Sequence, residues 1–353
     1  MADFLSELAS GLKPYTPGEQ PKTGEFVKLN TNENPYPPSP GVLKAIADST
    51  NERLRLYPDP DSTVLIEAAA EYYKVPADMI FAGNGSDEVL AFAFAAFFAG
   101  RKLVFPAVTY SFYPVYCSLY GVDYKEIPML DDLRIDTRAL VNSDCCVVTA
   151  NPNAPTGEFL SLDMITRIAD ANRNNVVLID EAYIDFGGES AVKLTEELEN
   201  LLVVQTFSKS RSLAGMRLGF AIGNRGLIEG LNRVKNSFNS YPLDRISQYA
   251  GAAAFKDDEY YKVIRDRIIK TRQSSIERLA GLGFKTLDSA SNFIFTSHER
   301  VYAEKLYKDL KERGVLVRYF GRKPIDNYIR ITIGNEAQME VLFAELEKII
   351  SGC

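Results

Sequence analysis

The stretch LLVVQTFSKSRSLAGMRLGF, residues 201–220, joins an unbroken apolar run to a loop that sets Lys209 between hydroxyls and Arg217 among glycines. Four consecutive apolar residues bounded by polar ones suit a strand buried on both faces. A lysine just past the end of such a strand sits where open parallel sheets bind ligands, outside the carboxyl ends of their strands. A basic cluster of this kind also serves as an ordinary solvated face. Beside Ser208 and Arg217, however, the amine has the setting of a nucleophile toward a carbonyl, because desolvation or a nearby cation lowers an amine's pKa and Schiff-base chemistry requires that.

Working outward, KLVF (102–105), CCVVTA (145–150) and VVLID (176–180) repeat the buried-strand pattern, with helical spacing between them, as in LDMITRIADANRN (162–174). The alternation predicts an α/β region with a mostly parallel central sheet flanked by helices. From about residue 225 the texture changes. DDEYYKVIRDRIIKTRQSSIERLAGLG (257–283) reads as a long helix ending at glycine, and short apolar runs and helices follow it, which predicts a smaller α+β domain. The start of the chain, with KPYTPGEQPKTGE (13–25) and NENPYPPSPG (32–41), is too rich in proline and polar residues to pack alone and predicts an extended arm lying along another surface. The expected division is an arm over 1–40, a large domain over 41–240 and a small domain over 241–353.

Composition bounds the function. With 353 residues, 46% hydrophobic and 25% charged, the chain can bury a large core. No apolar stretch reaches the roughly 18 residues a membrane helix needs, and no signal core opens the chain, so a cytoplasmic protein is expected. A formal net charge of −7 argues against a general nucleic-acid binder. The four cysteines, 117, 145, 146 and 353, show no metal-ligand spacing and read as reduced thiols. His298 is the only histidine, which removes histidine-rich metal sites and most histidine-based hydrolase mechanisms; its setting, TSHER, reads as an exposed loop. No metal is expected.

Three further loops follow strand-like runs. AGNGSDEVLAFAFAAFF (82–98) places Gly83 and Gly85 before a helix whose free N–H groups suit a phosphate, although Ser-Asp-Glu is equally an ordinary cap. It lacks the third glycine of a dinucleotide fingerprint. ANPNAPTGEF (150–159) is a tight turn, and VVLIDEAYIDF (176–186) sets Asp180 at a strand end, where a carboxylate either caps the next turn or awaits a partner. A phosphate would want Ser208, Arg217 and a helix N-terminus, and a pyridine nitrogen would want a carboxylate. The chain carries all of these parts.

On these residues the sequence resembles the fold-type I pyridoxal-phosphate enzymes, and within them the histidinol-phosphate aminotransferase family. The motifs LKPYTPGE, VKLNTNENPYPPSP, LYPDP, GNGSDE, PAVTYSFY, NPNAPTG, DEAYIDF, TFSKSRSLAGMRLGF and YIRITIG follow in the family's order and spacing over some 300 residues. The resemblance implies that Lys209 bonds to pyridoxal 5'-phosphate and shuttles the substrate's α-proton, that Asp180 pairs with the pyridine nitrogen, that Tyr110 stacks on the ring and that Tyr183 donates to the ring hydroxyl oxygen. It implies a phosphate site from the N–H groups of Ser86 and Asp87, the Ser208 hydroxyl and Arg217, with Tyr57 reaching in from a second subunit of a homodimer. The family often has asparagine immediately before Pro-Thr-Gly; Ala154 stands there, so Asn153 is expected to take that contact. For substrate, the resemblance implies Arg330 and Arg318 on a phosphate or carboxylate, Tyr15 closing over it, and Asn32 and Glu33 lining the pocket.

The implied reaction is transamination between L-histidinol phosphate and 2-oxoglutarate, with small molecules as partners and neither nucleic acid nor membrane. An aromatic or broad-specificity aminotransferase shares nearly every motif, and threonine-phosphate decarboxylase would use the same lysine, although NTNENPYPP fits the aminotransferase pattern better. A non-catalytic regulatory domain on the same fold would tolerate loss of Lys209, Asp180 and Arg217, and all three are present.

Overall fold

In the computed structural model, which describes residues 4–21 and 24–352, the 201–206 run lies at the heart of a seven-stranded sheet. The strand order is Ile80–Asn84, Leu218–Gly223, Leu201–Thr206, Val177–Asp180, Cys146–Ala150, Lys102–Pro106 and Asp123–Ile127. The five strands from Leu201–Thr206 to Asp123–Ile127 pair in parallel, and Leu218–Gly223 runs antiparallel to both its neighbours. The fold is therefore α/β with a mostly parallel sheet.

Why these runs are continuous in apolar residues follows from the cores. Val147, Val177, Ile179, Leu201 and Val203 face one buried layer, while Val148, Leu178, Leu202 and Val204 face the other. Side chains alternate across a strand, so a sheet covered on both faces needs apolar residues at every position. The edge strand Asp123–Ile127 is mostly exposed and correspondingly polar.

Chain direction then places the site. The parallel strands end together at Ala150, Asp180 and Thr206, and the backbone N–H groups of Asn151 and Glu181 donate to Asp180 and Val204 on the next strand. Ile80–Asn84 points the same way and runs straight into helix Gly85–Ala93. Gly219 lies against that helix start, where an added Cβ would come within 2.3 Å of the Ser86 backbone nitrogen. Glycine is thus required for the helix N-terminus to approach the sheet.

A second core lies under a four-stranded sheet formed by Arg318–Tyr319, Ile329–Thr332, Phe293–His298 and Phe284–Thr286. Helix Asp258–Gly281 belongs to both cores, with Tyr261 in the first and Ile264 and Ile268 in the second. The first core runs past the expected boundary at residue 240, because helix Arg245–Lys256 packs Ala250, Ala252, Ala254 and Phe255 beneath the large sheet. The arm joins the small unit through Val27–Lys28, paired in parallel with Val315–Leu316.

His298 departs from the exposed loop expected of it. It ends strand Phe293–His298, is buried, and accepts the N–H groups of Arg300 and Val301 at Nδ1 while Nε2 faces the Leu282 carbonyl. Two donors on Nδ1 place the proton on Nε2, so this imidazole is a structural bracket. Cys117, Cys145 and Cys146 are free thiols; Cys353 lies outside the described residues. Among the described residues no helix is long and apolar enough to cross a membrane.

Candidate active site

The strand ends open into a cavity of about 560 Å³ lined from the large sheet, the small sheet and the arm. Of the residues singled out from the sequence, the cavity gathers Tyr15, Asn32, Glu33, Ser86, Asp87, Tyr110, Asp180, Tyr183, Ser208, Lys209, Arg217, Arg318 and Arg330. Asn153 and Tyr57 are not among its lining residues.

Asp180 forms the floor. It is 4% exposed, and its carboxylate accepts from the Tyr113 hydroxyl at 2.9 Å and the Ala182 N–H at 3.3 Å. Burial pushes its carboxyl up to about 6, against the pull of those two donors. A buried carboxylate so placed gains from any cation that enters opposite it. Tyr113 was not singled out from the sequence; in the motif it looks like one more core tyrosine, and only its place three residues beyond Tyr110, in the first turn of the following helix, distinguishes it.

At one end of the cavity the helix Gly85–Ala93 presents its N-terminus. Gly85 has φ +79°, and a Cβ there would lie 2.6 Å from an Arg217 nitrogen, so glycine and arginine share a tight corner. The Arg217 guanidinium meets Asp87 at 3.2 Å, and both side chains remain nearly half exposed toward the cavity. The Ser208 hydroxyl accepts from Thr206 at 3.0 Å. Free helical N–H groups, a hydroxyl and a guanidinium in one corner make an anion site. Tyr110 donates to Asp87 at 2.8 Å, and burial holds its phenol well above the ordinary range, so it stays protonated.

Lys209 donates from Nζ to the Thr31 carbonyl at 3.1 Å and lies 5.8 Å from the centre of the Tyr183 ring. On the arm side, Glu33 binds Lys28 at 2.6 Å and the Thr31 hydroxyl at 2.7 Å; burial works against its charge, but those bonds outweigh it and hold the carboxyl below its usual range. Tyr15 stacks on Phe112, with ring centres 4.8 Å apart, so the arm lies across the cavity wall.

The opposite end is cationic. Arg330 is half-buried over the rings of Phe293 and Phe320, donates one bond to the Asn30 carbonyl at 3.0 Å, and among the described residues leaves its buried Nε without a partner. Burial, and then the Arg318 charge, lower its pKa. Among the described residues neither guanidinium has a carboxylate within ion-pair distance. Two neighbouring cations without counter-charge are costly unless an anion joins them.

Two expectations need correction. Asn153 cannot take the contact anticipated at Ala154: its oxygen accepts from Thr109, and its amide donates to the Val108 carbonyl and the Thr156 hydroxyl, so the whole side chain is spent behind the wall. Asn32 is 1% exposed and its amide is committed to Tyr183 and Thr332 rather than free for a small molecule. Tyr57 is 80% exposed and stacks on Tyr241 away from this cavity.

The model of aminotransferase class I and II matches residues 24–346. The chain belongs to that family. Its relatives include histidinol-phosphate aminotransferases of Brachyspira hyodysenteriae, 53% identical over 352 residues, and of Chromohalobacter salexigens, 52% identical over 350, each match covering 99% of both chains. Among solved structures, a putative histidinol-phosphate aminotransferase from Erwinia carotovora is 26% identical with a TM-score of 0.85, over 94% of this chain and 99% of that one. The Sinorhizobium meliloti histidinol-phosphate aminotransferase, solved with pyridoxal-5'-phosphate, has the same fold, with a TM-score of 0.90 at 24% identity over 100% of this chain and 99% of that one.

The Asp180 environment sets a pH signature for this aminotransferase fold. Because the folded carboxyl is raised from 3.8 to about 6, its stability contribution is intact below the unfolded value and is lost as pH rises through 6. In dialysed protein Asp180→Asn therefore gains up to about 2–3 kcal/mol over wild type above pH 7, shrinking toward pH 4. Urea unfolding across that range checks it; a gain independent of pH contradicts the assignment.

Proposed function

We propose that this chain is a pyridoxal-phosphate-dependent aminotransferase that moves an amino group between L-histidinol phosphate and 2-oxoglutarate, giving imidazole acetol phosphate and L-glutamate in histidine biosynthesis. The observation that carries the substrate is the pair Arg318 and Arg330, two uncompensated cations at the cavity end opposite the phosphate corner, in a chain about half identical over its whole length to histidinol-phosphate aminotransferases.

The residues present fit the cofactor. The buried Asp180 carboxylate, the Gly85 corner that a Cβ would fill and the Arg217 guanidinium supply a partner for a protonated ring nitrogen and a cradle for a phosphate. Bound there, pyridoxal phosphate supplies an aldehyde for the substrate amine and a ring that delocalises the electrons left at the α-carbon. Asp180 would keep a proton on the ring nitrogen. Ser86, Asp87, Ser208 and Arg217 would hold the phosphate, and Tyr110 would cover the ring face. Lys209 would hold the proton taken from the substrate α-carbon and return it two atoms along, across the substrate nitrogen.

Arg330 and Arg318 then bind the substrate's far end. A guanidinium fork accepts a phosphate or a carboxylate equally, which is what a cavity that takes histidinol phosphate in one half-reaction and glutamate in the other requires. The aromatic rings beside them exclude water and strengthen that attraction. Glu33, held ionised by Lys28, offers an acceptor to the imidazole N–H of the substrate.

The same reading makes the enzyme a cytoplasmic homodimer. Tyr57 and Tyr241 form an exposed stacked pair, and a tyrosine 80% exposed that matches a phosphate-binding motif belongs in another subunit's cavity.

Arg330→Lys keeps the charge but loses the fork, so the KM for histidinol phosphate rises by about 10- to 100-fold while cofactor affinity changes by less than about 3-fold. Steady-state kinetics and cofactor titration check this, and cofactor loss without a change in KM contradicts the arginine assignment. Lys209→Ala and Tyr57→Ala subunits are each nearly inactive alone; co-refolded in equal amounts, they recover roughly a quarter of wild-type activity, because half the dimers carry one intact site. No recovery places Tyr57 outside the partner's site.

A further inference from the structure

The turn over residues 150–157 contributes Ala150, Ala154 and Pro155 to the cavity wall, none of which carries a side-chain donor. Asn153, beside them, is wholly engaged behind the wall. On this stretch of the cavity the hydroxyl of Tyr183 is left to do the work that a neighbouring amide could share.

The direction of that hydroxyl is decided by a chain of three bonds. The backbone N–H of Asn32 donates to the Thr332 hydroxyl oxygen at 3.0 Å. Thr332 must therefore turn its own proton elsewhere, and the Asn32 side-chain oxygen lies 3.0 Å away. That fixes the amide the other way round, with Nδ2 aimed at the Tyr183 oxygen at 2.9 Å. Reversing the amide would leave the Thr332 proton without an acceptor in a site that is 1–2% exposed. Since Nδ2 only donates, the Tyr183 proton cannot point at Asn32. It is turned to the cavity side.

Asn32 is held in place for this. Its φ is +58°, a left-handed conformation that asparagine tolerates better than most residues, and its carbonyl accepts from Asn292 at 3.0 Å. The three members come from three parts of the chain: Asn32 from the arm, Thr332 from the small sheet, and Tyr183 from the loop after strand Val177–Asp180.

We infer that Asn32, locked by Thr332, is a positioning residue that makes Tyr183 a one-directional donor toward the ring hydroxyl oxygen of the cofactor, in place of the direct amide donor that Ala154 removes. This rests on the reading of Tyr183 as the partner of that oxygen. The consequence is that the donor is aimed only while the arm and the small sheet are docked on the large one.

The test is the pH-dependent colour change of the holoenzyme without substrate. A donor at the ring oxygen draws negative charge away from the neighbouring nitrogen that holds the titrating proton, so losing the donor raises the midpoint. Asn32→Gly removes the amide and keeps the positive φ available; Thr332→Val leaves Asn32 in place but unlocks its amide. Each raises the midpoint by about 0.5–1 pH unit in wild-type background, as does Tyr183→Phe, and neither adds a shift when combined with Tyr183→Phe. Equal shifts in both backgrounds, or no shift from Asn32→Gly and Thr332→Val where Tyr183→Phe does shift, overturn the relay. No shift from Tyr183→Phe itself overturns the reading of Tyr183 beneath it.

Discussion

A carboxylate buried at the end of a parallel strand is the constraint on which this structure turns. Among the described residues Asp180 has two neutral donors and no cation within hydrogen-bond reach, so its burial is a cost carried by the fold. The cost is tolerable because the surrounding strands are apolar on both faces and rigid, and because a protonated ring nitrogen entering the cavity would remove it. Stability and chemistry thus pull in opposite directions at one residue, and the two cores supply the surplus.

The rest of the cavity is arranged around that point by chain direction. Parallel strands bring the 150–157 turn, the Asp180 loop and the Lys209 loop to one edge, while the strand entering helix Gly85–Ala93 adds an anion corner beside Arg217. The small sheet and the arm close the opposite side with Arg318, Arg330 and Glu33. A ligand that spans the cavity touches the large sheet, the small sheet and the arm, so its binding reports on their docking.

The strands at 146–150, 177–180 and 201–206 were legible in the sequence because burial on both faces leaves unbroken apolar runs. The edge strand Asp123–Ile127 was not, since four of its five residues face solvent and DYKEI carries no strand signal. Leu218–Gly223 was hidden inside a motif read for its arginine. The cavity lining was legible at the ends of strands and in the loops beside them, as with Lys209, Asp180 and Arg217. It was illegible where a residue acts through a distant partner: Asn32 meets Thr332 across 300 positions, and Tyr113 reaches Asp180 from a helix. Asn153 and His298 misled for the same reason, because burial and satisfied hydrogen bonds, which spacing does not reveal, decide whether a polar side chain is free to act.

On the proposed function, one cavity accepts an amine bearing a phosphate at the Arg318 and Arg330 end. Single-turnover absorbance of the holoenzyme, mixed separately with histidinol phosphate, phenylalanine and threonine phosphate, tests it most directly. Histidinol phosphate is expected to convert the bound cofactor to its amine form fastest, with no release of carbon dioxide. Faster conversion by phenylalanine would contradict the assignment of the arginine pair, and carbon dioxide release from threonine phosphate would make the enzyme a decarboxylase instead.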